Sequence, residues 1–171
     1  MGPKMHLVQL PGCNQQWGQL WRCPMPFSRM FDPNGAVLDE MKEHGIQTIV
    51  SLAHRGECDY HTGRDLERLY MLEGYEVLSY SIDDHCVPRD MKAFRDFVVQ
   101  VRQRLIAQRN VAVHCHAGTG RTGLLLACLV RLEAPQHPVE EVIRYFRETV
   151  HGAIHGPTQA TFVTQFPGAP N

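Results

Sequence analysis

What is scarce in this chain of 171 residues narrows its possible roles. No apolar run approaches the ~18 residues that cross a bilayer as a helix. The opening Met1-Gly-Pro-Lys-Met-His6 has no apolar core of the secretory kind, so the expectation is a cytoplasmic protein. Charge of one sign is not in excess: 17 Lys and Arg stand against 18 Asp and Glu, a formal −1. No overall field therefore draws the chain to nucleic acid or to an anionic membrane. The six cysteines lack the close, regular spacing of a disulfide framework. Cys-x-x-Cys pairs and a His-Glu-x-x-His run are both missing, and ten histidines alone do not make a metal site, so no metal or other cofactor is expected. A nucleotide-binding loop is excluded by the lack of any glycine-lysine-serine/threonine ending. Repeats, linkers and low-complexity stretches are absent as well.

What is present is ordinary globular composition, 43% apolar and 20% charged, at a length that suits one domain. Strand-like and helix-like stretches alternate, which fits an α/β fold in layers. Residues 5–10 suit an edge strand. Asp32-Pro-Asn-Gly35 is a turn cluster, and residues 36–44 have helical spacing with Gly45 as a stop. Residues 46–52 form a central strand rich in β-branched residues. A helix over 62–73 and a strand over 75–82 come next. After Pro88, residues 89–108 carry an apolar stripe of Met91, Phe94, Phe97, Val98, Val101 and Leu105, a long helix. Val111–His114 is apolar on both faces and so belongs inside the sheet. Residues 121–132 are too apolar all round for a surface helix. Two further helices are expected over 139–149 and 158–165.

The chemistry concentrates in Val111-Ala-Val-His-Cys-His-Ala-Gly-Thr-Gly-Arg-Thr-Gly123. An apolar strand delivers Cys115 into a loop, and the backbone N–H groups from Ala117 to Gly120 can turn inward as an anion-binding nest. The helix from Arg121 adds its positive end at the same spot. Arg121 offers a planar fork that matches two phosphate oxygens, and a cysteine in such a field is favoured as the thiolate. The spacing by itself is weak, since Cys23 to Arg29 and Cys58 to Arg64 share it. The first contains Pro24 and Pro26, which supply no N–H donors; the second comes after the polar run His54-Arg-Gly-Glu57. Both are taken as coincidence. Displacement by Cys115 at a phosphate ester would also need an acid on another loop to protonate the leaving oxygen. Asp83, Asp84 and Asp90 are the candidates between a strand end and a helix start, although aspartates there often just cap the helix.

His114 to Thr122 resembles the signature loop of the cysteine-dependent protein tyrosine phosphatase superfamily, and its compact dual-specificity branch is the better match. Ile46–Leu52 with Arg55-Gly56, Ile82–Pro88 and Ala153–Gln159 resemble that branch's upstream strand and turn, its acid loop and its late glutamine segment. The resemblance covers about residues 5–166, taken as a single phosphatase domain with 1–4 and 167–171 as flexible ends. It implies a central, mostly parallel sheet flanked by helices. It also implies a metal-independent phosphatase acting on phosphotyrosine in a phosphorylated protein or peptide, with phosphoserine and phosphothreonine left open. By the family's register Cys115 is the nucleophile, Arg121 binds phosphate, Asp84 (four before Pro88) is the acid, and Thr122 assists the departing thiolate. His116, Ala117, Gly118, Thr119 and Gly120 cradle phosphate, while Gln159 orients water. Related phosphoinositide phosphatases typically carry lysines at the positions of His116 and Thr119, which disfavours a highly anionic headgroup. A phosphoinositide or other small-molecule phosphatase, a catalytically idle phosphoprotein-binding module and a rhodanese-like sulfurtransferase are the alternatives. Reversible oxidation that links Cys115 to Cys58 or Cys86 is a further option, and the role of Trp17 and Trp21 stays open.

Overall fold

A computed structural model describes residues 2–13 and 16–168. Of the expected ends, residues 1 and 169–171 lie outside the described residues, while the Lys4 N–H donates to the Glu40 carboxylate at 2.9 Å. The elements run β1 (His6–Leu7), β2 (Leu20–Cys23), α1 (Ala36–Glu43), β3 (Thr48–Ser51), α2 (Arg55–Thr62), α3 (Leu66–Leu72), β4 (Glu76–Ser79), α4 (Met91–Ile106), β5 (Val111–His114), α5 (Gly120–Glu133), α6 (Val139–Thr149) and α7 (Gly156–Gln165).

The fold is α/β. Its strands form a single sheet in the order β1-β2-β5-β3-β4. Every pairing is parallel except the short β1–β2 edge. All four residues of β5 are buried, as its two apolar faces require. Val111 and Val113 face one layer, with Val50 and Leu52 of the β3 region and the inner faces of α4 to α7. Ala112 and Ile49 face the other, against residues of α1 and α3. The period-2 alternation of a strand thus splits the core into two clusters across the sheet. Helix α5 runs through the larger one, and every residue from Arg121 to Val130 is buried. Truncating a leucine there to alanine costs about 2–5 kcal/mol.

Several readings of the sequence change. The strand expected over 5–10 pairs only at His6–Leu7. Strand β2 was not foreseen, because Trp21-Arg22 at its centre breaks the apolar signal; Trp21 stacks on His44 at 3.9 Å, away from the Cys115 loop. The helix expected over 62–73 is α3 alone, Leu66–Leu72, and α2 before it was not foreseen. Gly63 in the left-handed region (φ 69°) ends α2, and the Asp65 carboxylate accepts from the Arg68 N–H to start α3. The polar His54–Glu57 run is therefore the first turn of a helix. The long helix begins two residues late, at Met91, for a similar reason: the Asp90 carboxylate accepts from the Ala93 N–H at 2.9 Å.

Candidate active site

Three parallel strands end beside one another, and the segments leaving them meet at one place, the usual position for a ligand in an open α/β sheet. Strand β5 ends in Cys115, β3 leads into α2, and β2 runs into Cys23-Pro24 beneath the Cys115 loop. The Met25 N–H donates to the His116 carbonyl at 2.8 Å. Gly118 (φ 76°) faces this crossing, and a Cβ there would stand 2.1 Å from the Cys23 carbonyl oxygen. The loop can turn so tightly only with glycine at 118. Cys23, taken as part of a coincidental spacing, is thus a packing partner of the loop.

Cys115 is 2% exposed and sits at the base of a cavity of about 280 Å³. Thr122, one turn into α5, donates its hydroxyl to Cys115 Sγ at 3.4 Å. Ala117, Thr119, Gly120 and Arg121 join Cys115 and His116 on the wall, while Gly118 and Thr122 lie behind it. Asp84 and Gln159 also line the cavity, together with Phe31 and His155.

Under Cys115, the fully buried His114 is held from both sides. Its Nδ1 contacts the Cys115 carbonyl at 2.9 Å and its Nε2 the Tyr70 hydroxyl at 3.0 Å. A carbonyl only accepts, so Nδ1 carries the proton and Nε2 accepts from Tyr70. Burial lowers the His114 pKa to about 4, so the ring is neutral.

Arg121 is 2% exposed on its side chain, and its charge is met by a residue that the sequence reading passed over. Its Nη1 and Nη2 donate to the two Glu57 oxygens at 2.8 and 2.7 Å, a bidentate pair. Nη1 also donates to the Ile82 carbonyl at 2.9 Å. Burial works against the guanidinium charge, but the Glu57 pair, with Cys115 and Asp84, holds its pKa above the ordinary arginine range. A signal for Glu57 existed. An arginine carried on so apolar a helix needs a carboxylate, and Glu57 lies in the one polar run directly after the central strand.

The three aspartates separate cleanly. Asp83 pairs with Arg89 at 2.7 Å, with His54 3.5 Å away. Asp90 caps α4. Asp84 alone reaches the cavity, with Oδ1 3.2 Å from Arg121 Nη2 and its side chain about half exposed. Gln159, expected on a solvated helix face if it had no role, is instead 1% exposed. Its Oε1 accepts from the His155 N–H at 2.7 Å, and its Nε2 donates to the Cys86 carbonyl at 3.1 Å, which ties α7 to the Asp84 loop. His116 stacks on His61 at 3.6 Å and 17°, and burial followed by the nearby His61 lowers its pKa.

A family model described as "Tc-R-P: Polymorphic toxin system, DSP-PTPase phosphatase" matches residues 23–134. The chain is 39% identical over 88 residues to tyrosine-protein phosphatase non-receptor type 4 of Mus musculus, which covers 48% of this chain and 9% of that protein. It is 27% identical over 148 residues to cyclin-dependent kinase inhibitor 3 of Homo sapiens, over 84% of this chain and 69% of that one. The crystal structure of kinase associated phosphatase with serine in place of its catalytic-site cysteine matches with a TM-score of 0.82. That match covers 97% of this chain and 96% of the other at 24% identity, and it speaks to the fold.

Proposed function

Since the chain belongs to the DSP-PTPase phosphatase family, we propose that it hydrolyses phosphotyrosine in proteins or peptides through a cysteinyl-phosphate intermediate, with residues 5–166 as the catalytic domain. Phosphoserine and phosphothreonine are candidate substrates of the same site. One observation carries this: Cys115, Arg121 and Asp84 converge on one cavity, with the Thr122 hydroxyl 3.4 Å from the sulfur.

In the first step Cys115 attacks phosphorus in line as a thiolate, with the positive end of α5, the Thr122 hydroxyl and Arg121 placed around the sulfur. A sulfur–phosphorus bond forms while the ester oxygen leaves with the Asp84 proton. Arg121 and the N–H groups from His116 to Gly120 take the equatorial oxygens. In the second step Asp84 accepts a proton from the attacking water, which Gln159 helps to place. The sulfur–phosphorus bond breaks, Thr122 donates to the departing thiolate, and inorganic phosphate is released. No step calls for a metal or a cofactor. Glu57 is a positioning residue that sets the Arg121 fork.

The nucleophile must stay reduced. All six cysteines are free, and the reducing cytoplasm suits them, so the protein is placed there in this reading. Among the described residues no helix is long and apolar enough to cross a membrane.

The test is p-nitrophenyl phosphate turnover in excess chelator, followed by phosphotyrosyl, phosphoseryl and phosphothreonyl peptides and phosphoinositide vesicles. Turnover that survives chelator and favours phosphopeptides is expected. A folded, inactive protein that still binds vanadate would make it a phosphate-binding module instead, and preference for the vesicles would move the substrate class to lipid.

A further inference from the structure

Beside the nucleophile stands a donor set that the phosphatase chemistry does not use as a set. Glu57 and His61 lie four residues apart on α2 and so share one face. His116 meets them from the loop after β5. One donor atom from each, a carboxylate oxygen and two ring nitrogens, lies within 4.8 Å of the others, and all three residues are partly exposed. His116 is held by neighbours other than His61: Phe31 meets it edge-on at 4.8 Å and Ser28 Oγ lies 3.1 Å from its Nε2, while His61 stacks on one of its faces. Two imidazoles and one carboxylate form a zinc-type donor set, whereas magnesium and calcium prefer all-oxygen sites.

We propose that Glu57, His61 and His116 bind a divalent cation of the zinc class, and that the bound cation inhibits the phosphatase. Tetrahedral bonds of about 2.0–2.1 Å put ligand atoms roughly 3.3 Å apart, so donors that lie within 4.8 Å of one another must draw together by up to about 1.5 Å. Turns of the Glu57 and His61 side chains supply that movement, with water as the fourth ligand. The inhibition arises from the role Glu57 already has. Both of its oxygens hold Arg121, at 2.7 and 2.8 Å, so a cation can take one only by loosening that pair. His116 adjoins Cys115, so the same cation fixes the first residue of the phosphate loop. Occupancy therefore opposes the Arg121 and loop geometry that phosphate needs.

The inhibitory part rests on the phosphatase reading, so binding and turnover are measured separately. Metal-stripped full chain is titrated with Zn²⁺ by calorimetry, and p-nitrophenyl phosphate turnover is monitored against Zn²⁺. The variants are Cys115→Ser, His61→Phe (which keeps a ring stacked on His116) and His61→Ala, with thermal unfolding as the check on folding. Wild type and Cys115→Ser are expected to bind one Zn²⁺ with similar affinity. Both His61 variants are expected to keep basal turnover, to bind at least ~10-fold more weakly, and to need correspondingly more Zn²⁺ for half-inhibition. Equal Zn²⁺ inhibition of the His61 variants and wild type overturns the site, as does loss of binding in Cys115→Ser, which places the cation on the thiolate. Should wild type turn over no phosphate ester, the phosphatase reading fails, and the calorimetric comparison still decides the site.

Discussion

Cys58 and Cys115 are near twins in sequence and opposites in structure. Each precedes an arginine by six residues, and each is almost fully buried, at 5% and 2% exposure. Cys58 lies on α2, packed in the cluster of Ile49, Leu66 and Tyr70. Burial, then Glu57, pushes its thiol up to about 11, so it stays protonated at neutral pH. Its arginine, Arg64, lies beyond the end of the helix, 4.4 Å over the Phe27 ring. Cys115 instead opens a loop that doubles back through Gly118, so the next turn of chain returns Thr122 to the sulfur and buries Arg121 nearby. From Cys58 the chain continues as helix only to Thr62, about 6 Å further on, before Gly63 turns it away, while the nest after Cys115 folds the chain back onto the sulfur. Spacing and burial are alike in the two places, and the backbone between cysteine and arginine makes the difference. The segment that fails as a site also serves the one that succeeds, because Glu57, beside Cys58, anchors Arg121.

The sharpest break in this comparison is at the sulfurs. Cys115→Ser is expected to cut p-nitrophenyl phosphate turnover by on the order of 10⁴-fold or more, whereas Cys58→Ser leaves it near wild type; equal losses would erase the distinction. Next comes the acid, which only the Cys115 loop has within reach. Asp84→Asn is expected to lower kcat by about 10²–10⁴-fold, with Asp83→Asn as the silent control. A third test cuts the link between the twins. Glu57→Ala strands the buried Arg121 charge and is expected to cost about 3–5 kcal/mol in denaturant unfolding as well as turnover. Full stability in that variant would show that Arg121 finds another partner.

The smallest effect is a pH dependence. His114 has a folded pKa of about 4 against the ordinary histidine value of 6.5, lowered mainly by burial. Above pH 6.5 both folded and unfolded forms are neutral and stability does not depend on this group. Between pH 6.5 and 4 only the unfolded chain takes up the proton, so stability falls as pH falls, by ~3 kcal/mol in total. Urea midpoints across that range should show the loss in wild type, and His114→Asn should flatten it.

Much of the site was legible because its groups sit close together in sequence. Cys115, Arg121 and Thr122 come from a buried strand, a glycine loop and an apolar helix in succession. The acid was narrowed only to a loop by its residues, with Asp84 singled out by the family's register; the structure then places Asp83 on Arg89 and Asp90 at a helix cap. Strand β2 was hidden because pairing with β5 on one side (parallel) and with the short edge β1 on the other (antiparallel), rather than its own alternation, makes Leu20–Cys23 extended. Gln159 was named by the resemblance, but its burial was hidden for a related reason: nothing local marks a glutamine as buried when its partners are the His155 N–H and, 73 residues away, the Cys86 carbonyl.

By itself the sequence determined the layered α/β class, the buried strand under Cys115 and the loop after it, since these depend on periodicity, glycine placement and short-range geometry. Only the tertiary structure decided which carboxylates meet Arg121, that Cys23 lies against Gly118, and that His61 and Glu57 stand next to His116. Those contacts join the carboxyl ends of different strands. The physical reason is that a charge buried at 121 is answered by whatever the sheet order brings beside it, and sheet order is set by packing across the whole core rather than by neighbours along the chain.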